Sequence, residues 1–150
     1  MPQFCPYRLR KIAATTLTTL TIIYGNQIVG GDASSYWINS SLKLSPIEQV
    51  EMLKKLYYNQ LGFSSDNIKA VKDSICLYST EQGSISGKTG TEEVNRQNTS
   101  GWFIGYIEQD NHNYFFATNI QSEELASDPL ATELTFSILS DLKLWNTYQE

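Results

Sequence analysis

Several things that would announce a function are scarce in this 150-residue chain. It has two cysteines, Cys5 and Cys76, far apart and with no C-x-x-C spacing, so no zinc framework is recognisable and no redox compartment is implied. It has one histidine, His112, in the stretch DNHN between two apolar runs; that composition reads as a hairpin turn and not as a base. Basic residues are in deficit, 11 against 16 acidic, giving a net charge of -5. A phosphate-backbone partner needs clustered Lys and Arg to release counterions, so nucleic acid is excluded as the main ligand. Long hydrophobic runs are absent as well, which leaves no candidate membrane span of 18 or more apolar residues.

What is present is material for one domain: 41% hydrophobic and 12% aromatic residues, without internal repeat or low-complexity linker. The first 23 residues differ in character. Arg8, Arg10 and Lys11 precede a mildly apolar stretch, the outline of a signal peptide, but threonines dilute it and no small-x-small cleavage site follows. The alternative is a segment that does not belong to the fold, and the expected organisation is 1–23 apart from 24–150.

From Tyr24 onward the elements are legible. A Gly-, Asn- and Ser-rich loop leads to Ser45-Pro46-Ile47-Glu48, a serine cap, a proline at the first helical position and a glutamate three residues past the cap. The predicted helix starts at Pro46, buries Ile47, Val50, Leu53, Leu56, Tyr57 and Leu61, and stops at Gly62. A short helix near Asp66 to Val71 follows. Then four β-favouring runs appear, DSICLYS, SISGKTG, WFIGYIEQ and NYFFATNI, the last two joined by a turn over Asp110 to Asn113. Both faces of the third run are apolar, which predicts a central strand covered on each side by helices. Asp128 before Pro129 is the expected cap of a last helix whose stripe Leu130, Leu134, Ile138 and Leu142 packs on the sheet. The expected class is α+β, an antiparallel sheet flanked by helices.

Lys88-Thr89-Gly90 on an edge strand is the chemically suggestive feature. Three residues recur by chance, but YGN at 24 to 26, GG at 30 and 31, YW at 36 and 37, SSLKLSPIEQVEMLKKLY at 40 to 57, SGKTGT at 86 to 91 and GWFIGYIE at 101 to 108 keep one order and spacing. Together they resemble class D β-lactamases and the penicillin-sensor domains of Gram-positive bacteria. The resemblance runs from about Tyr24 to Trp145 and matches only the carboxyl-terminal half of that β-lactamase/transpeptidase-like fold.

The resemblance implies acylation of a serine by a β-lactam, followed by hydrolysis, with the serine and its base in a Ser-x-x-Lys element and a proton relay in Ser-x-Val. It implies no cofactor and no metal. Lys88 would supply positive charge and help proton movement, Thr89 a hydroxyl for the β-lactam carboxylate, and Gly90 room for substrate along the strand. The N–H of Thr91 would be one of two oxyanion donors, worth about 3 kcal/mol in the transition state. Trp37 would pack by the catalytic lysine, and Tyr24, Gly25 and Asn26 would edge the site.

Neither Ser-x-x-Lys nor Ser-x-Val occurs ahead of Tyr24. Ser40-Ser41-Leu42-Lys43 satisfies the first pattern literally, but it precedes the Ser45 cap in a loop-to-helix connection, so Ser40 is expected to be structural. Two departures stand out. Glu92 and Arg96 occupy a region where the relatives favour glycine, which predicts strain if positive φ is needed there. No arginine lies between Asn119 and the last helix to hold a substrate carboxylate.

The expected function is therefore a truncated class D-like protein that retains penicillin-recognising residues and lacks hydrolysis of its own. The alternatives are a non-hydrolytic β-lactam sensor fragment, or a half that complements a separate amino-terminal half. Expected partners are a β-lactam, and either that half or a second copy through exposed sheet. The resemblance places its members outside the cytoplasmic membrane.

Overall fold

The computed structural model describes residues 3–4, 25, 43–123 and 125–145. Its centre is an antiparallel sheet in sequence order: β1 (Gln3–Phe4), β2 (Cys76–Thr80), β3 (Gly83–Val94), β4 (Gln97–Gln109) and β5 (His112–Gln121). Helices α1 (Pro46–Tyr57) and α2 (Ser65–Ile75) precede β2, and α3 (Asp128–Asp141) follows β5. No helix among the described residues is long and apolar enough to cross a membrane.

Local chemistry sets α1. The Ser45 hydroxyl accepts from the Glu48 N–H at 3.2 Å while the Glu48 carboxylate accepts from the Ser45 N–H at 2.8 Å, a closed capping box. The helix ends at Tyr57, earlier than Gly62, because Asn59 takes the left-handed conformation first (φ 52°). Leu61 thus falls in the following turn, and Ile47 is 76% exposed, so the buried anchor of α1 is Leu53. Helix α2 runs on through Ile75, past the predicted Val71. Lys69 and Asp73 pair at 2.7 Å one turn apart and Ser74 donates to the Val71 carbonyl, drawing into the helix residues that looked like the start of a strand.

The register divides the sheet into two faces. Ile85, Gly87, Thr89 and Thr91 share one with Ile107, Gly105, Phe103 and Gly101 of β4. Helix α3 covers this face: Ile85, Ile107 and Leu139 form a buried cluster, with Phe116, Phe136 and Trp145 packed against it. Each large side chain fully buried here contributes roughly 1.5–3 kcal/mol. Ser84, Ser86, Lys88 and Gly90 share the opposite face with Glu108, Tyr106, Ile104 and Trp102. There α1 packs Tyr57 edge-on against Tyr106 (4.8 Å) and Phe115 (5.3 Å). The α+β expectation holds.

Two details of α3 differ from expectation. Its cap is Ser127, and Asp128 lies in the first turn with its side chain engaged elsewhere. The stripe Leu130, Leu134, Ile138 and Leu142 points outward, 43%, 44%, 44% and 61% exposed, while Ala131, Thr135 and Leu139 face the sheet. Both sets repeat every fourth residue. This rotation of the helix lets Thr135 donate to Thr118 at 2.6 Å, packs Phe136 on Phe103 with ring centres 5.8 Å apart, and buries Ala131 and Leu139.

Candidate functional site

Strand β3 carries the candidate residues, and its two edges differ. One edge pairs with β4 along its whole length, from Gly83↔Gln109 to Val94↔Gln97. The other pairs with β2 only as far as Cys76↔Ser86. From Gly87 onward that edge has no strand partner among the described residues, which leaves Lys88 to Thr91 on an open edge. Directly beyond Thr91 the register slips at Glu92/Glu93, a bulge of the kind that re-aims a strand where pairing ends.

The pleat sends these side chains to opposite sides. Lys88 is exposed on the α1 face, opposite Ile104, with Trp102 one step along. Its ammonium donates to the carbonyl of Thr89 at 2.5 Å. Trp102 and Ile104 are half-buried whereas Tyr106 is buried, so the cover on this face thins towards Lys88. Gly90 is exposed, and a Cβ placed on it would meet nothing within 4 Å, so the strand is open to a molecule lying along it. Thr89 and Thr91 point the other way, towards the start of α3.

There the structure adds a residue that the sequence reading had used only as a cap. The Thr91 hydroxyl donates to the Asp128 carboxylate at 2.7 Å and accepts from the Asp128 N–H at 2.9 Å. Gly101 makes the approach available. A Cβ at that position would lie 2.1 Å from the Ser127 carbonyl oxygen, so only glycine lets β4 touch the backbone at the start of α3. The Thr91 hydroxyl, with help from Thr89 and the charge of Lys88, holds the Asp128 carboxyl below the ordinary aspartate value against the opposing effect of burial. An acidic residue at a helix start is an ordinary cap signal, and nothing local tells which neighbour its carboxylate will choose.

At the joint between α1 and β4, the Tyr57 phenol donates to Glu108 at 2.5 Å and the Ser84 hydroxyl donates to the same carboxylate at 2.9 Å. Burial, reinforced by Glu108, pushes the Tyr57 phenol far above its ordinary range, so it stays a donor. Of the remaining predicted positions, Tyr24, Asn26, Trp37 and Ser40 lie outside the described residues. Gly25 is half-buried with φ 76°, a left-handed conformation that suits glycine. Lys43 sits in non-helical chain before Ser45, as expected for a loop-to-helix connection.

The transpeptidase domain of penicillin binding proteins matches residues 19–140. The chain belongs to this family. It is 45% identical over 119 residues to the regulatory protein BlaR1 of Bacillus licheniformis, covering 79% of this chain and 20% of BlaR1. The solved carboxyl-terminal domain of the B. licheniformis BlaR penicillin-receptor superposes with TM-score 0.76 at 42% identity, covering 84% of this chain and 51% of that one. A class D β-lactamase from Bacillus subtilis gives TM-score 0.76 at 32% identity, covering 88% and 54%. The resemblance to penicillin sensors and class D enzymes drawn from the motifs therefore stands. The chain spans about half the length of these solved structures and about a fifth of BlaR1.

Proposed function

We propose that these 150 residues carry a penicillin-recognising face that binds β-lactams along the open edge of β3 and does not turn them over. The observation that carries the reading is that edge: Lys88, Thr89, Gly90 and Thr91 follow one another where β2 has ended and β4 still holds the strand straight. Lys88 would hold and relay a proton and attract the ligand's carboxylate, the Thr89 hydroxyl would bind that carboxylate, and the Thr91 N–H would polarise the lactam carbonyl. Tyr24, Gly25, Asn26 and Trp37 would border the ligand, and residues 24–150 would form the recognising unit. Membership of the penicillin-recognising family supports a position outside the cytoplasmic membrane.

The absence of turnover in this reading rests on the nucleophile. Ser40-x-x-Lys43 and Ser140-x-x-Lys143 are the literal matches in the chain; Lys43 precedes the first helical turn and Lys143, with φ 57°, lies past the end of α3, whereas a serine and its base must share a face. Removing the serine of a covalent hydrolase costs about 10^6 in rate. Intact mass after incubation with benzylpenicillin tests this together with binding followed by amide signals of residues 86–91. We expect unchanged mass and shifted signals at Lys88 to Thr91. An adduct of one penicillin would overturn the non-covalent reading and make Ser40→Ala the next variant, and unshifted signals would remove β-lactam binding.

A second reading is favoured by the outward stripe of α3. Four large aliphatic residues in a row on one helix, with Trp102 and Ile104 half-covered on the other side of the sheet, suit a chain that meets a complementary half or a second copy of itself.

A further inference from the structure

The hydroxyl of Thr91 has one proton, and Asp128 takes it. The same oxygen accepts the Asp128 N–H, so Thr91 is occupied as donor and as acceptor by a single residue. The Asp128 backbone cannot swing away, because Ser127 is pressed against Gly101 and the next turn of α3 continues into the buried Ala131 and Thr135. Thr89 is the neighbouring hydroxyl on this face of β3, and Lys88 precedes it on the strand. The segment between Asn119 and α3 contains no arginine, and the first residue of α3 brings a carboxylate to β3.

We infer that Asp128 is a resident carboxylate fixed on the Thr91 hydroxyl, beside the Thr89 hydroxyl proposed to bind the ligand's carboxylate, and that its charge sets the selectivity of this edge against anions. The inference deepens the proposed β-lactam reading and rests on it for the identity of the natural ligand. Its consequence is specific: a carboxylate arriving at Thr89 meets a like charge held on the next hydroxyl of the same face. A ligand of the same shape without that charge meets no such repulsion.

The test uses the full 150-residue chain and its D128N variant, which keeps the side chain's shape and an oxygen acceptor for Thr91 while removing the charge. Benzylpenicillin and its methyl ester are titrated against each, reading the amide signals of Thr89 to Thr91. We expect D128N to bind benzylpenicillin about ten-fold more tightly, as removal of one like charge near the surface gives, with the ester unchanged. Equal affinity of the two proteins for benzylpenicillin, or an equal gain for the ester, overturns the inference.

Sodium acetate, titrated at constant ionic strength, separates the two levels of the argument. If no β-lactam binds either protein, the proposed function fails, and acetate decides what remains. Acetate-dependent shifts at Thr89 and Thr91 in D128N that are weaker or absent in the wild type uphold Asp128 as the resident anion. A D128N protein as insensitive to acetate as the wild type overturns it.

Discussion

At the turn between β3 and β4, Asn95 and Arg96 both take left-handed φ values, 54° and 66°. Two-residue hairpins of this type suit Asn-Gly, and a side chain at the second position costs about 1 kcal/mol because its Cβ crowds the following carbonyl. The concern that Glu92 and Arg96 raise in the sequence thus resolves onto Arg96, since Glu92 lies in regular strand ahead of the bulge. Arg96→Gly should raise stability by about 1 kcal/mol, read as a higher urea midpoint. A second residue-scale outcome concerns acid. The Ser45 backbone and side-chain hydrogen bonds hold Glu48 below its ordinary value of 4.5, as Thr91 holds Asp128 below its ordinary 3.8. Groups depressed on folding contribute stability that is complete above those ordinary values and is lost as pH falls through the lower folded ones. The urea midpoint should therefore decline between about pH 5 and pH 3, and more shallowly in an E48Q D128N double variant. Equal slopes would show that neither contact is retained in solution.

At the scale of elements, two joints hold the helices to the sheet. Gly101→Ala would place a methyl group into the backbone of Ser127 and push the start of α3 off β4. Overpacking of this kind costs about 1–3 kcal/mol, and it should also shift the amide signals of Thr91 and Asp128. An unchanged melting temperature would mean that α3 is seated less closely than described. On the other face Tyr57 ties α1 to Glu108 of β4, with the Lys72 ammonium 3.5 Å from the centre of its ring. Tyr57→Phe keeps the aromatic packing against Tyr106 and Phe115 and removes the charge-assisted hydrogen bond, for an expected loss of about 2 kcal/mol.

For the whole molecule the question is what its outward apolar surface does. Leu130, Leu134, Ile138 and Leu142 span three turns of α3, and a ridge of residues four apart is the surface that helices use to pack on one another. In the reading favoured above, the chain self-associates or joins a complementary half through this ridge. Sedimentation of the isolated chain should show species larger than a monomer, and L134E with I138E should shift it towards monomer while the β3–β4 amide signals persist. A monodisperse monomer with a cooperative melt would remove self-association.

Sequence alone determined the features whose physics is local. The capping box at Ser45, the alternation of β4, the hairpin expected over Asp110–Asn113, whose turn narrows to Asp110–Asn111 with φ 51° and 63° because His112 and Asn113 join β5, and the family membership carried by SGKTGT and GWFIGYIE depend on residues a few positions apart or on ordered motifs. Tertiary structure decided the rest. Helix α3 carries two stripes of residues four apart, one residue out of step and equally helical in spacing, and tertiary contacts such as Thr135 with Thr118 and Phe136 with Phe103 accompany the choice of Ala131, Thr135 and Leu139 for the sheet. That rotation, with the close contact at Gly101, brings the Asp128 carboxylate to Thr91 across 37 residues of chain, and no spacing rule in the sequence could have paired them.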